Sequence, residues 1–383
     1  MLDNYIDKEE LLKIRRYLHQ NPELSGEEYK TADFLREKLK EYGIKYDVVD
    51  NTGTVAVIEG KKAGKTVLIR ADIDALPVLE DNDLEFKSKN DGVMHACGHD
   101  IHTACGIYTA KVLNELKNTF DGTVKVVFQP KEETDGGAEK IIQWGVMENP
   151  KVDACFAIHV EPLEECGKIQ IKDGAIMASP DDFEIEIIGK GGHGATPEEC
   201  INPITVGAEI VEKINNNQEY KRKDSSIVSV CEFLGGTCYN VIPDKVKILG
   251  TARSLSEGIR QKLKTELTEL VDIICKKYGA KYNFTFNFRY PPTINSKNTN
   301  EIVINAAKKI DKIKGITYLE HSSMCGDDFS YFARLVPSSY FRLGVGNEGE
   351  NHPIHSPKFI ANEDALEIGV EILVQSTLDY LNS

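Results

Sequence analysis

Short apolar runs rich in β-branched residues alternate with helical segments over the first 160 residues, and this alternation constrains the fold more than any other feature. The runs occupy residues 54–60, 66–74, 123–130 and 154–160. Apolar spacing predicts two helices between Lys8 and Tyr42, broken at Asn21-Pro22, and another from the MHACGHDIH string to about Leu116. Strands buried on both faces and alternating with helices predict an α/β layer structure with a mostly parallel sheet.

The pattern changes from about Pro180 to the order β-α-β-β-α-β, which is the ferredoxin-like arrangement. Its predicted elements are strands 182–188, 226–234, 245–254 and 282–290 and helices 202–216 and 257–278. Pro291-Pro292 ends this pattern, and helix and strand signals return from about Ile294. Because 383 residues exceed what one core usually organises, we predict two domains. Residues 1–179 and 294–383 form the first, and residues 180–293 are inserted into it.

The composition, with 41% hydrophobic and 28% charged residues, is that of a soluble globular chain. A net charge of −15 argues against nucleic-acid binding, which needs clustered lysine and arginine. No segment approaches the ~18 apolar residues of a membrane span, and the charged N-terminus lacks the apolar core of a signal peptide. The nine cysteines are scattered and odd in number, which favours free thiols in a cytoplasm. We therefore expect a cytoplasmic protein that binds neither nucleic acid nor membrane.

The string MHACGHDIH, from Met94 to His102, concentrates potential metal ligands. It offers thiolate, imidazole and carboxylate donors, the groups that suit a borderline ion such as zinc. Cys97 and His99 can reach one ion only if the backbone bends sharply at Gly98, which glycine permits because it has no Cβ. One such cluster cannot complete a catalytic site, so further ligands must come from elsewhere in the chain.

Adjacent acids, Glu132 and Glu133, follow the predicted strand 123–130 in the string QPKEETDGG. In a hydrolytic metal site, one carboxylate can coordinate the ion while its neighbour takes a proton from water. The alternative is a solvated pair of surface acids, which is the commoner role of an isolated acidic pair. The apolar strand before the pair and the glycines after it favour the site.

Two further histidines are candidate ligands. His159 lies in the apolar run ACFAIHV and is either a core histidine or a ligand. His355 lies in the loop NHPIHSPKF, and loops carry functional residues disproportionately. Asp72 and Asp74, in RADIDALP, point to one face of a strand end, where they either orient a metal-bound histidine or cap the next turn.

The inserted segment holds two more candidates. His193 lies between glycines in GKGGHGATP, where it either contacts substrate or is a plain loop histidine. Asn240, in CYNVIPD, either binds substrate or initiates a turn before proline. The sequence contains no phosphate-binding loop of the Walker type and no G-x-S-x-G nucleophile motif. Cys97 could also be a nucleophile, but the neighbouring histidines and the downstream glutamates favour metal ligation.

Taken together, these strings resemble the M20 metallopeptidase and amidohydrolase family, in particular its N-acyl-L-amino acid amidohydrolase branch. The resemblance runs along nearly the whole chain, in the strings RRYLHQNPELSGEEYKTADFL, RADIDALP, MHACGHDIH, FQPKEE, IHV, GKGGHGATP, NVIPD, GTARS and NHPIHSPKF. It implies a zinc-peptidase-like three-layer α/β catalytic domain with an inserted ferredoxin-like (βαββαβ) lid domain. In the family this lid often mediates dimerisation, so a homodimer or a higher homo-oligomer is expected.

The resemblance also implies a role for each matching residue. Two divalent ions (zinc, manganese, nickel or cobalt) would be bound by Cys97, His99, Glu133, His159 and His355. Glu132 would be the general base, and Asp74, or alternatively Asp72, would occupy the supporting acidic position. His193 would contribute to the oxyanion site, in some relatives across the subunit interface. Asn240 and Arg253 would grip the substrate carboxylate, while His95, Asp100 and His102 would have supporting roles.

The implied reaction is hydrolysis of the amide bond of an N-acyl-L-amino acid, a small-molecule substrate with an acetyl, benzoyl or similar acyl group. The alternatives are a dipeptidase or carboxypeptidase of the same fold, and a metal-bound binding protein that has lost activity. Cys97 favours the amidohydrolase branch, because peptidase branches usually place other ligands there. The chain departs from the family with PKEE where many relatives have PAEE, and with GHGATP in place of GHAAMP. The second difference bears on substrate preference.

Overall fold

A computed structural model of the protein describes residues 2–134, 136–222, 224–349 and 351–383. The helices, in chain order, are α1 Lys8–Gln20, α2 Tyr29–Glu41, α3 His99–Glu115, α4 Ala138–Gln143, α5 Pro203–Asn216, α6 Glu257–Tyr278, α7 Lys297–Ala307, α8 Ser330–Ala333 and α9 Ala365–Leu381. The first strands are β1 Lys45–Val49, β2 Gly53–Glu59, β3 Thr66–Asp72, β4 Thr123–Gln129, β5 Ala154–Glu165, β6 Lys168–Ile171, β7 Gly174–Met177, β8 Ser179–Ile188 and β9 Gly192–His193. The remaining strands are β10 Lys221–Arg222, β11 Ser226–Gly235, β12 Val241–Ile242, β13 Lys245–Ser254, β14 Lys281–Asn287, β15 Thr293–Asn295, β16 Gly315–Tyr318 and β17 Ser338–Gly346.

The first compact unit contains Met1–Gly174, Ile294–Glu320 and Asp328–Ser383. Its large sheet has the strand order β1-β2-β4-β3-β5-β17-β6-β16. The central strands β4, β3, β5 and β17 are parallel to one another, as predicted. The sheet as a whole is mixed, because β2 is antiparallel to β1 and β4, and β17 is antiparallel to β6. The fold is therefore α/β with a parallel centre.

Helices cover this sheet because its central strands have no exposed face. Every residue of β3 is buried, which in parallel sheets requires a layer on each side. α3 and α9 pack against each other and against β3 and β5, while α8 packs against β17 and α4. No helix in the described part of the chain has the length and apolar character needed to cross a membrane.

The second compact unit contains Ala175–Thr293 and His321–Asp327. Its antiparallel sheet has the order β10-β11-β13-β8-β14. The chain passes through β8, α5, β11, β13, α6 and β14, which is the predicted βαββαβ sequence of elements. Apolar residues of α5 and α6 pack on one face of the sheet around Phe183, Ile185 and Ile248.

Several elements differ from the sequence-based predictions. β1 was not predicted, because most of its residues are exposed and it forms no apolar run. β5 continues to Glu165, beyond the apolar run that predicted it, and β14 ends at Asn287 rather than at residue 290. The short segment His321–Asp327 groups with the second unit, although the sequence carries no signal that separates it from its neighbours.

Candidate metal centre

The candidate ligands lie where neighbouring parallel strands of the first unit end. Asp72 is the last residue of β3, while Glu132 and Glu133 follow the end of β4. His159 lies in β5, on the other side of β3 in the sheet. Because these strands are parallel, their carboxyl ends meet at one edge, which is where such sheets usually place an active site.

The string MHACGHDIH forms one wall of the site through a bend at Gly98. α3 begins at His99, and Gly98 before it has a φ of +78°. A Cβ at Gly98 would lie 2.5 Å from Cγ2 of Val160, so both the backbone conformation and the space require glycine. The bend brings Cys97, His99 and His159 together, with one potential ligand atom of each within 4.8 Å of the others.

Hydrogen bonds to backbone carbonyls fix the orientation of two of these imidazoles. His99 donates Nδ1–H to the carbonyl oxygen of Asp74 at 2.9 Å, and His159 donates Nδ1–H to the carbonyl oxygen of Val160 at 2.7 Å. In the neutral form of each ring, Nε2 is the nitrogen that carries the lone pair, and Nε2 of His159 lies 3.4 Å from Sγ of Cys97. Burial holds the pKa of His159 well below its ordinary value. The neutral ring can therefore act as a ligand.

Carboxylates and a loop histidine form the opposite wall. Oε1 of Glu133 lies 3.7 Å from Nε2 of His99 and 3.3 Å from Nε2 of His355. Glu132 is buried and has a carboxylate oxygen within 4.8 Å of potential ligand atoms of His99 and Glu133. Cys97, Glu133 and His355 form another group of the same dimensions. The structure thus brings all five predicted ligands and Glu132 into one cluster.

The cluster has the properties of a cation site. Nε2 of His99 and Oε1 of Glu133 are buried and have no hydrogen-bond partner among the described residues, an arrangement that costs about 1–3 kcal/mol per atom. Burial lowers the pKa of His99, but the charges of Asp72, Asp74 and Glu133 outweigh it and raise the pKa to about 10. A positive charge is therefore favoured at this point. A divalent ion would satisfy both orphaned atoms, and the sulfur, nitrogen and oxygen donors suit a borderline metal.

Asp72 and His102 lie beside the cluster and are hydrogen-bonded to each other. His102 accepts the backbone N–H of Val160 with Nε2 at 2.9 Å and donates Nδ1–H to Oδ1 of Asp72 at 2.6 Å. Oδ2 of Asp72 accepts from Nη1 of Arg70 at 2.6 Å. Burial raises the pKa of Asp72, but Arg70 and the histidines outweigh it and hold the pKa well below its ordinary value. Asp72 is thus an anion that orients His102 and, through Val160, the backbone beside His159.

A buried polar layer behind Asp72 was not predicted from the sequence. Nη2 of Arg70 donates to Oδ1 of Asp328 at 2.9 Å, and Nε donates to Oε1 of Gln129 at 2.9 Å. Nε2 of Gln129 donates to both oxygens of Asp328, which also accepts the backbone N–H of Ala138. The only signal was the arginine inside the apolar strand TVLIRAD, which cannot be buried without acidic partners.

Asp100 and His95, which were expected to have supporting roles, are both buried but differ in their contacts. Oδ2 of Asp100 contacts Nε of Arg15 at 2.9 Å and Nδ1 of His19 at 2.8 Å. His95 is fully buried, and neither ring nitrogen has a hydrogen-bond partner in the described part of the chain. Burial lowers the pKa of His95 to about 4, so the ring is neutral. Asp100 therefore ties the start of α3 to α1, whereas His95 fills space.

The remaining predicted site residues lie in the second unit. His193 pairs with Val241 between β9 and β12, and its Nδ1 accepts the backbone N–H of Ala195 at 3.0 Å. Nε2–H of the exposed ring is consequently a donor that faces outward. The carbonyl oxygen of Asn240 accepts the N–H of Gly194, so the loop that carries Asn240 is hydrogen-bonded to the loop that carries His193. Arg253 lies in β13, where its guanidinium donates to Oγ1 of Thr251, and its role remains a prediction.

The sequence is similar to those of known proteins over most of its length. Residues 68–379 match the model of peptidase family M20/M25/M40. The chain is 40% identical to thermostable carboxypeptidase 2 of Saccharolobus solfataricus, covering 94% of this chain and 92% of that protein. It is 42% identical to an N-acyl-L-amino acid amidohydrolase of Geobacillus stearothermophilus, covering 75% and 78%.

A solved structure extends the similarity to the fold. A Bacillus subtilis protein, described as a dinuclear metal binding peptidase from the M20 family, superimposes with a TM-score of 0.87 at 34% identity. The match covers 98% of each chain. With the family model matching most of the sequence and these relatives covering most of its length, the chain belongs to peptidase family M20/M25/M40.

Proposed function

We propose that this protein is a metal-dependent amidohydrolase that cleaves the amide bond of N-acyl-L-amino acids. The observation that carries the proposal is the buried cluster of Cys97, His99, Glu133 and His159, completed by His355, with Glu132 beside it. The amidohydrolase of Geobacillus stearothermophilus, at 42% identity, supports the substrate class. Two divalent ions (zinc, manganese, nickel or cobalt) would be held by the five clustered residues. When bound, they supply a Lewis acid that polarises the amide carbonyl and lowers the pKa of the attacking water to roughly 7.

Glu132 is the proposed general base. It is mostly shielded from solvent, and its carboxylate lies within 4.8 Å of potential ligand atoms of His99 and Glu133. The carboxylate takes the proton of the water that attacks the acyl carbon, and then delivers it to the leaving amine nitrogen. Asp74 holds His99 in the orientation this requires, since its backbone oxygen accepts Nδ1–H of the ring.

We further propose that three residues of the second unit act on the substrate. The free Nε2–H of His193 would stabilise the developing oxyanion, in its own or a partner subunit's site, which typically contributes about 100–1,000-fold to kcat. Asn240 and Arg253 would bind the carboxylate of the amino acid. An amide and a guanidinium suit this task, because both donate hydrogen bonds and the guanidinium can pair with both carboxylate oxygens.

A homodimer formed through the second unit is also proposed. Among the described residues, β10 pairs only with Ser226 and Ile227 of β11. The rest of β11 is therefore an edge of the sheet on that side. Phe233 and Leu234 on it are exposed, and an exposed apolar edge strand is a template for pairing with another chain. Light scattering should give twice the 42.7 kDa mass of the chain, and Phe233→Glu should reduce it to that of a monomer.

The free thiols, three of them exposed, suit the reducing cytoplasm that we propose as the location of this protein.

The carboxypeptidase of Saccharolobus solfataricus, at 40% identity, makes peptide-end cleavage the second candidate. Both reactions release an amino acid by cleaving the amide at its nitrogen. Their substrates differ only in the group that carries the amide carbonyl, which is a simple acyl group in one and an amino-acid residue in the other. Protein stripped of metal and reloaded with zinc, manganese, nickel or cobalt should be assayed on N-acetyl and N-benzoyl amino acids and on matched dipeptides. We expect a higher kcat/KM for N-acyl amino acids.

The same assay decides between an enzyme and an inactive binding protein. Glu132→Ala should abolish turnover while the metal content, measured by elemental analysis, stays unchanged. A higher kcat/KM for dipeptides would favour the peptidase, and absence of turnover with every ion would overturn the proposal. Normal turnover by the Glu132→Ala variant would show that another group is the base.

A further inference from the structure

The turn that joins α1 to α2, residues 23–28, lies against the loop that carries Glu132. The backbone of this turn is anchored beside the end of β3, where Ala75 donates its N–H to the carbonyl oxygen of Glu23 at 2.8 Å. Leu24 forms a parallel bridge with the same Ala75. The turn is therefore fixed to the strand end at which the candidate ligands meet.

Glu28 is fully buried at the start of α2, and its side chain makes no capping hydrogen bond to that helix. Oε1 accepts the backbone N–H of Gly26 at 2.7 Å and the backbone N–H of Lys131 at 3.0 Å. Oε2 accepts from Oγ1 of Thr52 at 3.1 Å. One carboxylate thus joins three segments that are distant in sequence, and the second of its contacts is to the residue directly before Glu132.

Lys131 has a backbone conformation that needs such a partner. Its φ is +61°, in the left-handed region that is costly for a residue with a Cβ. The conformation sets the direction in which the chain leaves β4, and hence the direction of the Glu132 side chain. Because the residue is a lysine and not a glycine, this backbone conformation is strained.

The residue after Glu132 is held in a similar way. Oδ2 of Asp74 accepts the backbone N–H of Glu133 at 3.0 Å and Oγ–H of Ser25, from the same turn, at 2.6 Å. The backbone N–H groups of Lys131 and Glu133, on either side of Glu132, therefore donate to buried carboxylates. The 23–28 turn supplies one of these carboxylates, Glu28, and donates a hydrogen bond from Ser25 to the other, Asp74.

We propose that Glu28 is a positioning residue for the reaction: by accepting the N–H of Lys131, it fixes the left-handed turn that aims Glu132 at the substrate. The assignment rests on the proposed function, in which Glu132 is the base. Glu28 touches no reacting atom and acts only through the Lys131 backbone.

Three variants separate this role from a general contribution to stability. Glu28→Met fills the same space without an acceptor, and we expect kcat to fall about tenfold or more, since misplacing a catalytic group by ~1 Å can cost ~100-fold. KM and metal content should stay unchanged. Glu28→Gln keeps one oxygen for both N–H groups and offers an amide to Thr52, so kcat should remain within about threefold of the wild type. Thr52→Val, the matched control, removes the third contact alone and should leave kcat unchanged.

Hydrogen exchange supplies a readout that does not depend on activity. With lysine-selective nitrogen labelling, the Lys131 amide should exchange slowly in the wild type and in Glu28→Gln, and at least tenfold faster in Glu28→Met. Fast exchange at Lys131 in the wild type, or a Glu28→Met variant with normal kcat and a protected amide, would overturn the inference. If the wild type cleaves no amide while Lys131 is protected through Glu28, the proposed function fails and the anchoring contact stands.

Discussion

Nη1 of Arg70 lies 2.6 Å from Oδ2 of Asp72, and neither side chain has any exposure to solvent. The second terminal nitrogen of the same guanidinium contacts Asp328 at 2.9 Å. One arginine therefore compensates two buried carboxylates, one of which orients His102 beside the candidate metal ligands. The site therefore depends on buried charges that are not themselves proposed as ligands or as the base, although Oδ2 of Asp72 lies only 3.6 Å from Nε2 of His99.

Replacing Arg70 should consequently destabilise the whole first unit. Arg70→Met leaves Asp72 and Asp328 buried without their cation, and removing one partner of a buried ion pair typically costs about 3–5 kcal/mol. Urea denaturation followed by circular dichroism would measure the loss. Lys309→Met is the control, because its pair with Asp379 is half exposed and should contribute no more than about 1 kcal/mol. Equal effects of the two substitutions would contradict this account of the layer.

His102 should control metal affinity although it is not proposed as a ligand. His102→Leu removes both the donor to Asp72 and the acceptor for Val160, and the loss of such supporting contacts typically weakens metal binding about 10–100-fold. Competition with a chelator would measure the dissociation constant. His95→Leu, in the same string, is the matched control because the His95 ring has no hydrogen-bond partner among the described residues. A His95 effect as large as that of His102 would argue against the relay through Val160.

Metal removal should lower the thermal stability of the first unit. An ion that binds only the folded state stabilises it by about 2.7 kcal/mol when its concentration is a hundred times Kd. Burial and the charges of Glu133 and Glu132 hold the pKa of Cys97 well above its ordinary value, so binding through this thiol should release a proton. Cys97→Ser should weaken zinc binding more than manganese binding, since thiolate is the softer donor. Calorimetry in buffers of different ionisation enthalpy would measure the affinity for each ion and the proton released on binding. Unchanged affinity of Cys97→Ser for both ions would exclude Cys97 as a ligand.

His19 should make stability depend on pH. Burial and Arg15 lower its pKa, but the carboxylates of Asp100 and Glu80 outweigh them, so the folded-state pKa is raised above 6.5. The neutral His95 also faces this group. Because the folded state holds the proton more tightly, the stabilisation is complete below pH 6.5 and is lost as pH rises through the folded-state pKa.

The test is urea denaturation of the wild type and of His19→Gln from pH 6 to pH 9. The difference in unfolding free energy between the two proteins should be largest at pH 6 and should shrink as pH rises. A difference that is constant, or that grows with pH, would mean that His19 is neutral in the folded protein.

The sequence predicted the fold more completely than the site. Apolar runs such as TVLIRAD mark buried strands because their residues have no exposed face, and the parallel centre of the sheet follows from their alternation with helices. The antiparallel β1 escaped prediction because its side chains are mostly exposed and polar. Local sequence patterns indicate which residues are buried, and few residues of an edge strand are buried.

The site could be predicted as a set of residue types but not as a network. Local spacing does not distinguish His99 from His102, which lie three positions apart in one string, and only the family resemblance assigned them different roles. The structure separates them, because both nitrogens of His102 are occupied by Asp72 and Val160, which are 30 and 58 residues away. Arg70 and Asp328 are 258 residues apart. Contacts of this range depend on the completed fold, and no local spacing encodes them.

Gly98 offers the sharpest test of the bend that builds the site. It has nearly the same φ as Gly92, at +78° and +75°, so an alanine at either position incurs the left-handed strain of about 1–2 kcal/mol. The two positions differ in the space around them: a Cβ at Gly92 meets nothing within 4 Å, whereas at Gly98 it would lie 2.5 Å from Val160.

Gly92→Ala should therefore lose only the strain energy and keep its metal. Gly98→Ala must also push the string away from β5, which separates Cys97 and His99 from His159. We expect it to lose substantially more stability and to bind metal at least tenfold more weakly, as measured by denaturation and chelator competition. If the two variants behaved alike, backbone strain alone would account for the glycine, and close packing against Val160 would not be what brings these ligands together.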